Sequence, residues 1–158
     1  MEKYFNTIDG NKVNIVEHTL EQIGKYPSLK MYIGTDSQDY NPNTRYATAI
    51  LYRYGLRGAH FIYLREEVPV VRDMFTRLYG EGVRTIEAAQ LLKEEIPSIS
   101  FEALEFDYND FKHTLSSRVV SALRGWVKGL GMKASFKSGG QLATKAADHI
   151  CRHKEMYP

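Results

Sequence analysis

The sequence predicts an α/β domain in which a mixed β-sheet is flanked by helices. Three observations predict it. Three strand-like runs follow one another between residues 29 and 64. From residue 71 onward, segments with apolar residues every three or four positions alternate with short strand-like runs, the pattern of helices laid against a sheet. The chain has 158 residues, 43% hydrophobic and 25% charged, which suits one buried core and excludes disorder, collagen and coiled coil.

The elements follow in order. In residues 12–25, Val13, Ile15, Val16, Leu20 and Ile23 have the spacing of a short amphipathic helix ending at Gly24. Leu29 to Ile33 is a compact apolar run followed by Gly34-Thr35-Asp36-Ser37-Gln38, a strand with polar residues at its C-terminal end. Tyr46–Tyr54 and Ala59–Leu64 are rich in β-branched and aromatic residues. A turn with Gly55 and Gly58 separates them, so they read as a hairpin. Val71–Ile96 repeats Met74, Phe75, Leu78, Ala89, Leu92 and Ile96 at helical spacing and is stopped by Pro97. Ile99–Tyr108 reads as a fourth strand, Leu115–Leu130 as a second amphipathic helix, Met132–Phe136 as a short fifth strand and Gln141–Arg152 as a closing helix. No repeat, low-complexity tract or long polar linker divides the chain, so residues 1–158 are read as one domain with an N-terminal helical extension over 1–27.

Composition narrows the class further. One cysteine rules out an internal disulfide framework and a multi-cysteine zinc site. No apolar run approaches the roughly 20 residues of a membrane span, and the N-terminus lacks the apolar core of a signal peptide, so a cytoplasmic protein is expected. The net charge of +2 conceals an asymmetry: residues 1–110 carry −5, whereas residues 111–154 carry nine Lys and Arg against one acid, Asp148. A basic segment of this kind points to a polyanion partner or to a solvated helix face.

The candidate chemistry lies in the carboxylates. Asp36 ends the first strand and Asp107 the fourth. If these strands are neighbours, their carboxylates face each other and call for a hard cation such as Mg²⁺ or Mn²⁺. The alternative makes them turn residues, or Asp107 a helix cap. On the long helix, Glu81 lies about 60° from the centre of the apolar stripe and Glu87 about 180° away. Glu81 at the buried margin therefore needs a partner, a metal or an ion pair with Arg77. On spacing alone Asp148 pairs with its helical neighbours Lys145 or Arg152. Lys137, ahead of Ser138-Gly139-Gly140, is a weak phosphate-binding candidate. Among the five histidines only His149 and His153 have metal-like spacing, and no third ligand accompanies them. Tyr40 or Tyr108, near strand ends, would be placed to stack on a base.

Five strings in one order carry a family likeness: Tyr-Ile-Gly-Thr-Asp-Ser-Gln at 32–38, Arg-Gly-Ala-His-Phe-Ile-Tyr at 57–63, Arg-Leu-Tyr-Gly-Glu at 77–81, Leu-Glu-Phe-Asp at 104–107, and Phe-Lys at 136–137 followed by Ala-Thr-Lys-Ala-Ala-Asp at 143–148. With them the chain resembles, over nearly its whole length, the bacterial ribonuclease H-like family often called YkuK. The resemblance implies a five-stranded mixed sheet of order 3-2-1-4-5 flanked by helices. It also implies a two-ion nuclease site, with Mg²⁺ or Mn²⁺ held by Asp36, Glu81, Asp107 and Asp148. Ser37, Gln38, Arg77 and Lys137 are the accompanying substrate-binding candidates. Two places depart from the family pattern: Lys137 is followed by Ser138 where the family continues with Pro, and Tyr108-Asn109-Asp110 stands where a Gly-containing turn is expected.

The expectation is therefore a metal-dependent nuclease acting on RNA, RNA–DNA hybrid or structured DNA. The alternative is a non-catalytic nucleic-acid-binding module on the same scaffold; a third reading, structural acids around a small cationic ligand, has no feature in its favour. Nucleic acid is the expected partner, a membrane is not, and a homo-oligomer is left open.

Overall fold

The computed structural model describes residues 2–108, 113–136 and 140–153. Its strands are β1 (Tyr4–Asn6), β2 (Lys12–Asn14), β3 (Lys30–Tyr40), β4 (Asn43–Arg53), β5 (Ala59–Pro69), β6 (Ala103–Glu105) and β7 (Ala134–Ser135). Its helices are α1 (Ile15–Lys25), α2 (Met74–Glu95), α3 (His113–Gly129) and α4 (Ala143–Arg152). The strands form one mixed sheet in the order β2-β1-β5-β4-β3-β6-β7. The five expected strands are β3 to β7, and they lie in the expected relative order.

The sheet has seven strands rather than five because the N-terminal segment is not wholly helical. Phe5 and Val13 pair across a hairpin closed by a turn at Gly10, whose φ of 87° favours glycine. Phe5 is 1% exposed, so the hairpin contributes to the core as well as extending the sheet beyond β5. The helix then begins only at Ile15, where the Asn14 side chain accepts the backbone N–H groups of Val16 and Glu17.

Two strand boundaries also differ from the sequence reading. β3 does not end at Ile33. β4 pairs with it from Lys30 to Tyr40, so Asp36 sits inside the strand. The fourth strand is shorter than the Ile99–Tyr108 expected. It pairs with only Tyr32–Gly34 of the longer β3 on one side and with the two residues of β7 on the other. Phe101, Phe106 and Tyr108 are nonetheless buried, which accounts for the strand-like composition of the longer run.

The faces of β3 sort the site. Ile33, Thr35 and Ser37 point toward α2: the Thr35 hydroxyl meets that of Thr85 at 2.9 Å. The main core lies on this side, where α1, α2 and α3 bury Ile15, Leu78, Ile86, Leu92, Leu123 and Val127 against the sheet. Gly34 and Asp36 face the opposite side, covered by α4. There the sheet is lined by small residues: Ala47 and Ala49 pack against Ala147, Ile150 and Cys151. Helix and sheet approach so closely that a Cβ on Gly34 would lie 2.6 Å from the Thr144 hydroxyl. No helix among the described residues is long and apolar enough to cross a membrane.

Candidate active site

The site forms where β6 stops. Gly34 is level with Glu105, the last residue of β6, in a parallel register. Two positions further on come Asp36, still within β3, and Asp107, past the end of β6, so both follow the last level at which these two strands pair. Asp36 is half-buried under α4, and the carboxylate of Asp148 lies beside it. Burial, followed by the hydrogen bond and repulsion from Asp148, pushes the Asp36 carboxyl up to about 7. Gln38 donates to the same carboxylate from the strand itself, Nε2 to Oδ2 at 3.4 Å. Asp148 also accepts from Arg152 Nε at 2.7 Å, its neighbour at i+4.

Glu81 reaches the site from the other face of β3. It is 5% exposed, while Glu87 is exposed. The Ser37 hydroxyl donates to Glu81 Oε2 at 2.5 Å. Arg77 fixes that hydroxyl in turn: its Nε donates to Ser37 Oγ at 2.8 Å and its Nη2 to the Ser37 carbonyl at 2.8 Å. Its Nη1 pairs with Asp39 at 3.3 Å. Arg77, Ser37 and Glu81 thus form a directed chain from helix to strand and back. The glycines around Glu81 let α2 sit this close. A Cβ on Gly80 would lie 2.7 Å from the Tyr46 hydroxyl, and one on Gly82 would lie 2.4 Å from Leu123.

One group registers three of the acids together. Burial pushes the Cys151 thiol up, and the charges of Asp36, Glu81 and Asp148 act in the same direction. Asp36 and Asp148 are close neighbours; Glu81 lies within electrostatic reach but is held to Ser37. Among the described residues, no group of three or more His, Cys, Asp or Glu side chains is gathered tightly enough to hold a metal ion. The convergence of Asp36 with Asp148 does suit one hard cation, since two adjacent carboxylates supply oxygen ligands and a repulsion that a divalent charge relieves.

Other candidates take structural positions or fall outside the description. Lys137 lies outside the described residues. Tyr108 is buried and donates to the Leu78 carbonyl at 3.1 Å, so its ring is not available to a base. The Tyr40 ring lies under the Arg45 guanidinium, 4.3 Å away, and its hydroxyl donates to the Cys151 carbonyl.

Sequence reasoning missed the residues that hold α4 in place. Glu105 is 3% exposed and accepts the backbone N–H groups of Leu142 at 3.0 Å and Thr144 at 2.9 Å. Arg45, fully buried, donates Nη1 to the Cys151 carbonyl at 2.9 Å and Nε to Glu67 at 3.0 Å. A carboxylate at the first turn and a guanidinium at the last match the helix dipole at both ends, and Asp148 lies between them. For Glu105 a signal existed: the alternation in Leu104-Glu105-Phe106-Asp107 puts it on the face of Asp107, and a charge in a buried strand requires partners. Nothing in the local sequence of Arg45 marks it.

A family model described as ribonuclease H-like matches residues 14–152, from the cap of α1 to the end of α4. No curated protein and no solved structure matches the chain.

Proposed function

Because the chain belongs to the ribonuclease H-like family, we propose that it is a metal-dependent enzyme that cleaves phosphodiester bonds of RNA, RNA–DNA hybrid or structured DNA. The observation that carries this reading is the meeting of Asp36 and Asp148. Two carboxylates share one half-buried place, and the Asp36 carboxyl is pushed up to about 7. Such a pair is unfavourable unless a proton or a cation joins it. In this reading Asp36 and Asp148 hold Mg²⁺ or Mn²⁺, and Glu81 and Asp107 complete the ligand set for a pair of ions. When bound, such ions activate water and stabilise the leaving oxygen.

The chain's own residues have definable tasks. Gln38 orients the Asp36 carboxylate. Ser37, held by Arg77, fixes the direction of the Glu81 carboxylate. Arg77 therefore acts on the acids, and contact with phosphate is assigned to Lys137. Exposed cations of α3, Arg118, Arg124 and Lys128, supply a field that draws the nucleic-acid backbone.

The test is a panel of RNA, hybrid, single-stranded and branched DNA incubated with Mn²⁺, beside the Asp36→Asn variant. Cleavage by the wild type that stops with EDTA and with the variant is expected. Equal cleavage by the variant at matched Mn²⁺ overturns the assignment.

A second reading has an observation of its own. Asp148 pairs with Arg152 and Glu81 with Ser37, so two of the four acids have partners among the chain's own side chains. This reading describes a nucleic-acid-binding module without turnover. Binding that weakens steeply with salt, and no product after long incubation with Mg²⁺ or Mn²⁺, selects it.

A further inference from the structure

His18 on α1 and His60 on β5 stand 42 positions apart in the sequence, yet their Nε2 atoms meet at 2.8 Å. Neither ring is free to turn at random. Tyr52, fully buried, stacks on His60 with centroids 5.8 Å apart and receives the edge of His18 at 5.6 Å. The Tyr52 hydroxyl is fixed in turn by Thr19 at 2.8 Å. Burial holds both imidazoles below their ordinary pKa. Near neutral pH each is then the uncharged ring that ligates metals.

The spacing is close to that of two histidines on one ion. Two metal–nitrogen bonds of about 2.05 Å at a tetrahedral angle place the nitrogens about 3.3 Å apart and the ring centres about 5.2 Å apart. Here the ring centres are already 5.0 Å apart. Tilting the rings by a few tenths of an ångström at Nε2 opens the place, with no movement of helix or strand. Both rings are half-buried, so an ion can enter from solvent. The ion pair of Glu21 and Lys25 acts on His18 with opposing signs, and the negative charge of Asp9 acts on His60.

We propose that His18 and His60 form a binding site for a transition-metal ion of the Zn²⁺ class, with water completing its shell, that ties α1 to the sheet. Imidazole selects Zn²⁺, Cu²⁺ or Ni²⁺ over Mg²⁺. This site is therefore chemically distinct from the carboxylate site and independent of the function proposed above. Among the described residues no third His, Cys, Asp or Glu joins a metal-binding group, and Glu21 pairs with Lys25 at 3.0 Å. The ion consequently has two protein ligands and open positions. On binding, the ring that donates through Nε2–H carries its proton on Nδ1 instead, so no net proton is released.

The exposed rings of His149 and His153, 4.3 Å apart, are a competing place for such ions and are removed first. In a His149→Gln/His153→Gln/Asp36→Asn background at pH 7.5, which also removes the carboxylate pair as a place for the ion, Zn²⁺ titrated by calorimetry is expected to bind at one ion per chain and to raise Tm. Adding His18→Gln or His60→Gln is expected to weaken that binding at least tenfold. Nitrogen-15 shifts of the His18 and His60 rings at saturating Zn²⁺ report ligation without either substitution. Unshifted Nε2 resonances, or binding that survives both substitutions, overturn the proposal.

Discussion

Glu105, at the end of β6, accepts the backbone N–H of Thr144 through Oε1 at 2.9 Å. The cap of α4 is thereby supplied from another strand: Leu142, at the N-cap position, makes no side-chain cap of its own. The helix bearing Asp148 is consequently placed by the same strand end that precedes Asp107. Burial nevertheless pushes the Glu105 carboxyl up, and the backbone N–H groups of Thr144, Leu142 and Ala143 oppose that shift. Glu105→Ala removes the acceptor from several helix-end donors and is expected to destabilise the fold by about 2–3 kcal/mol. Glu105→Gln keeps one oxygen without the buried charge and is expected to cost about half as much. Urea unfolding of the three proteins checks both values.

Asp36 makes a pH-dependent contribution whose sign is opposite to that of an ordinary ion-paired acid. Its folded pKa of about 7 lies above the ordinary aspartate value of 3.8. Between those values the native state binds more protons than the unfolded one, so stability falls as pH rises from about 4 to about 7. Asp36→Asn abolishes that loss. It is expected to be more stable than wild type at pH 8 in EDTA, by up to a few kcal/mol, with the gap closing toward pH 4. Mn²⁺ is expected to stabilise wild type at pH 8 and to leave the variant nearly unmoved. Thermal unfolding across pH, with and without Mn²⁺, reads all three effects.

Gly34 carries the steric half of the α4 contact. A Cβ there would lie 2.6 Å from the Thr144 hydroxyl and 2.7 Å from its backbone nitrogen, and the latter belongs to the helix itself. Gly34→Ala is therefore expected to push the start of α4 off the sheet and to cost about 1–3 kcal/mol. Gly82→Ala meets the buried Leu123 side chain, 2.4 and 2.7 Å from its methyls and 3.1 Å from its Cγ, rather than helix backbone, and it replaces a helix-interior glycine. It is expected to be the milder of the two. Chemical denaturation ranks them, and Mn²⁺ affinity is expected to fall with Gly34→Ala.

The sequence disclosed what depends on local period and missed what depends on meeting across the fold. α2 was legible because Leu78, Ala89 and Ile96 repeat at helical spacing, and its end because Pro97 stops it. The sheet order was implied by the family resemblance, whereas the local pattern supplied only the succession of three strands and two more after helices. The hairpin of residues 4–14 escaped because Val13 also fits the helical stripe of Ile15 and Val16, and a three-residue strand has too short a period to compete. Asp36 was placed at a strand end because Thr35-Asp36-Ser37-Gln38 is polar. In fact one side of β3 is paired by β4 along its full length, and only the β6 side stops. The meeting of Asp36 with Asp148 and of His18 with His60 joins residues far apart in the chain, and no single-segment pattern encodes such pairs.

Arg45 and Tyr40 donate to a single acceptor, the Cys151 carbonyl, each at 2.9 Å. That shared carbonyl makes their contributions interdependent. In Arg45→Met the aliphatic stem is kept, Glu67 at 37% side-chain exposure rehydrates, and Tyr40 still satisfies the carbonyl. In Tyr40→Phe the guanidinium still satisfies it and keeps an aromatic ring beneath it. Each single substitution therefore leaves the end of α4 with one donor. The double variant strips both donors from a partly buried helix C-terminus and leaves an acceptor whose desolvation is uncompensated. Arg45→Met is expected to cost about 2–4 kcal/mol and Tyr40→Phe about 0.5–1 kcal/mol. The double variant is expected to exceed their sum by about 1 kcal/mol. A double-mutant cycle in urea measures that excess. A sum without excess would mean that water replaces the lost donors, and that the C-terminal hold on the helix of Asp148 is weaker than its geometry implies.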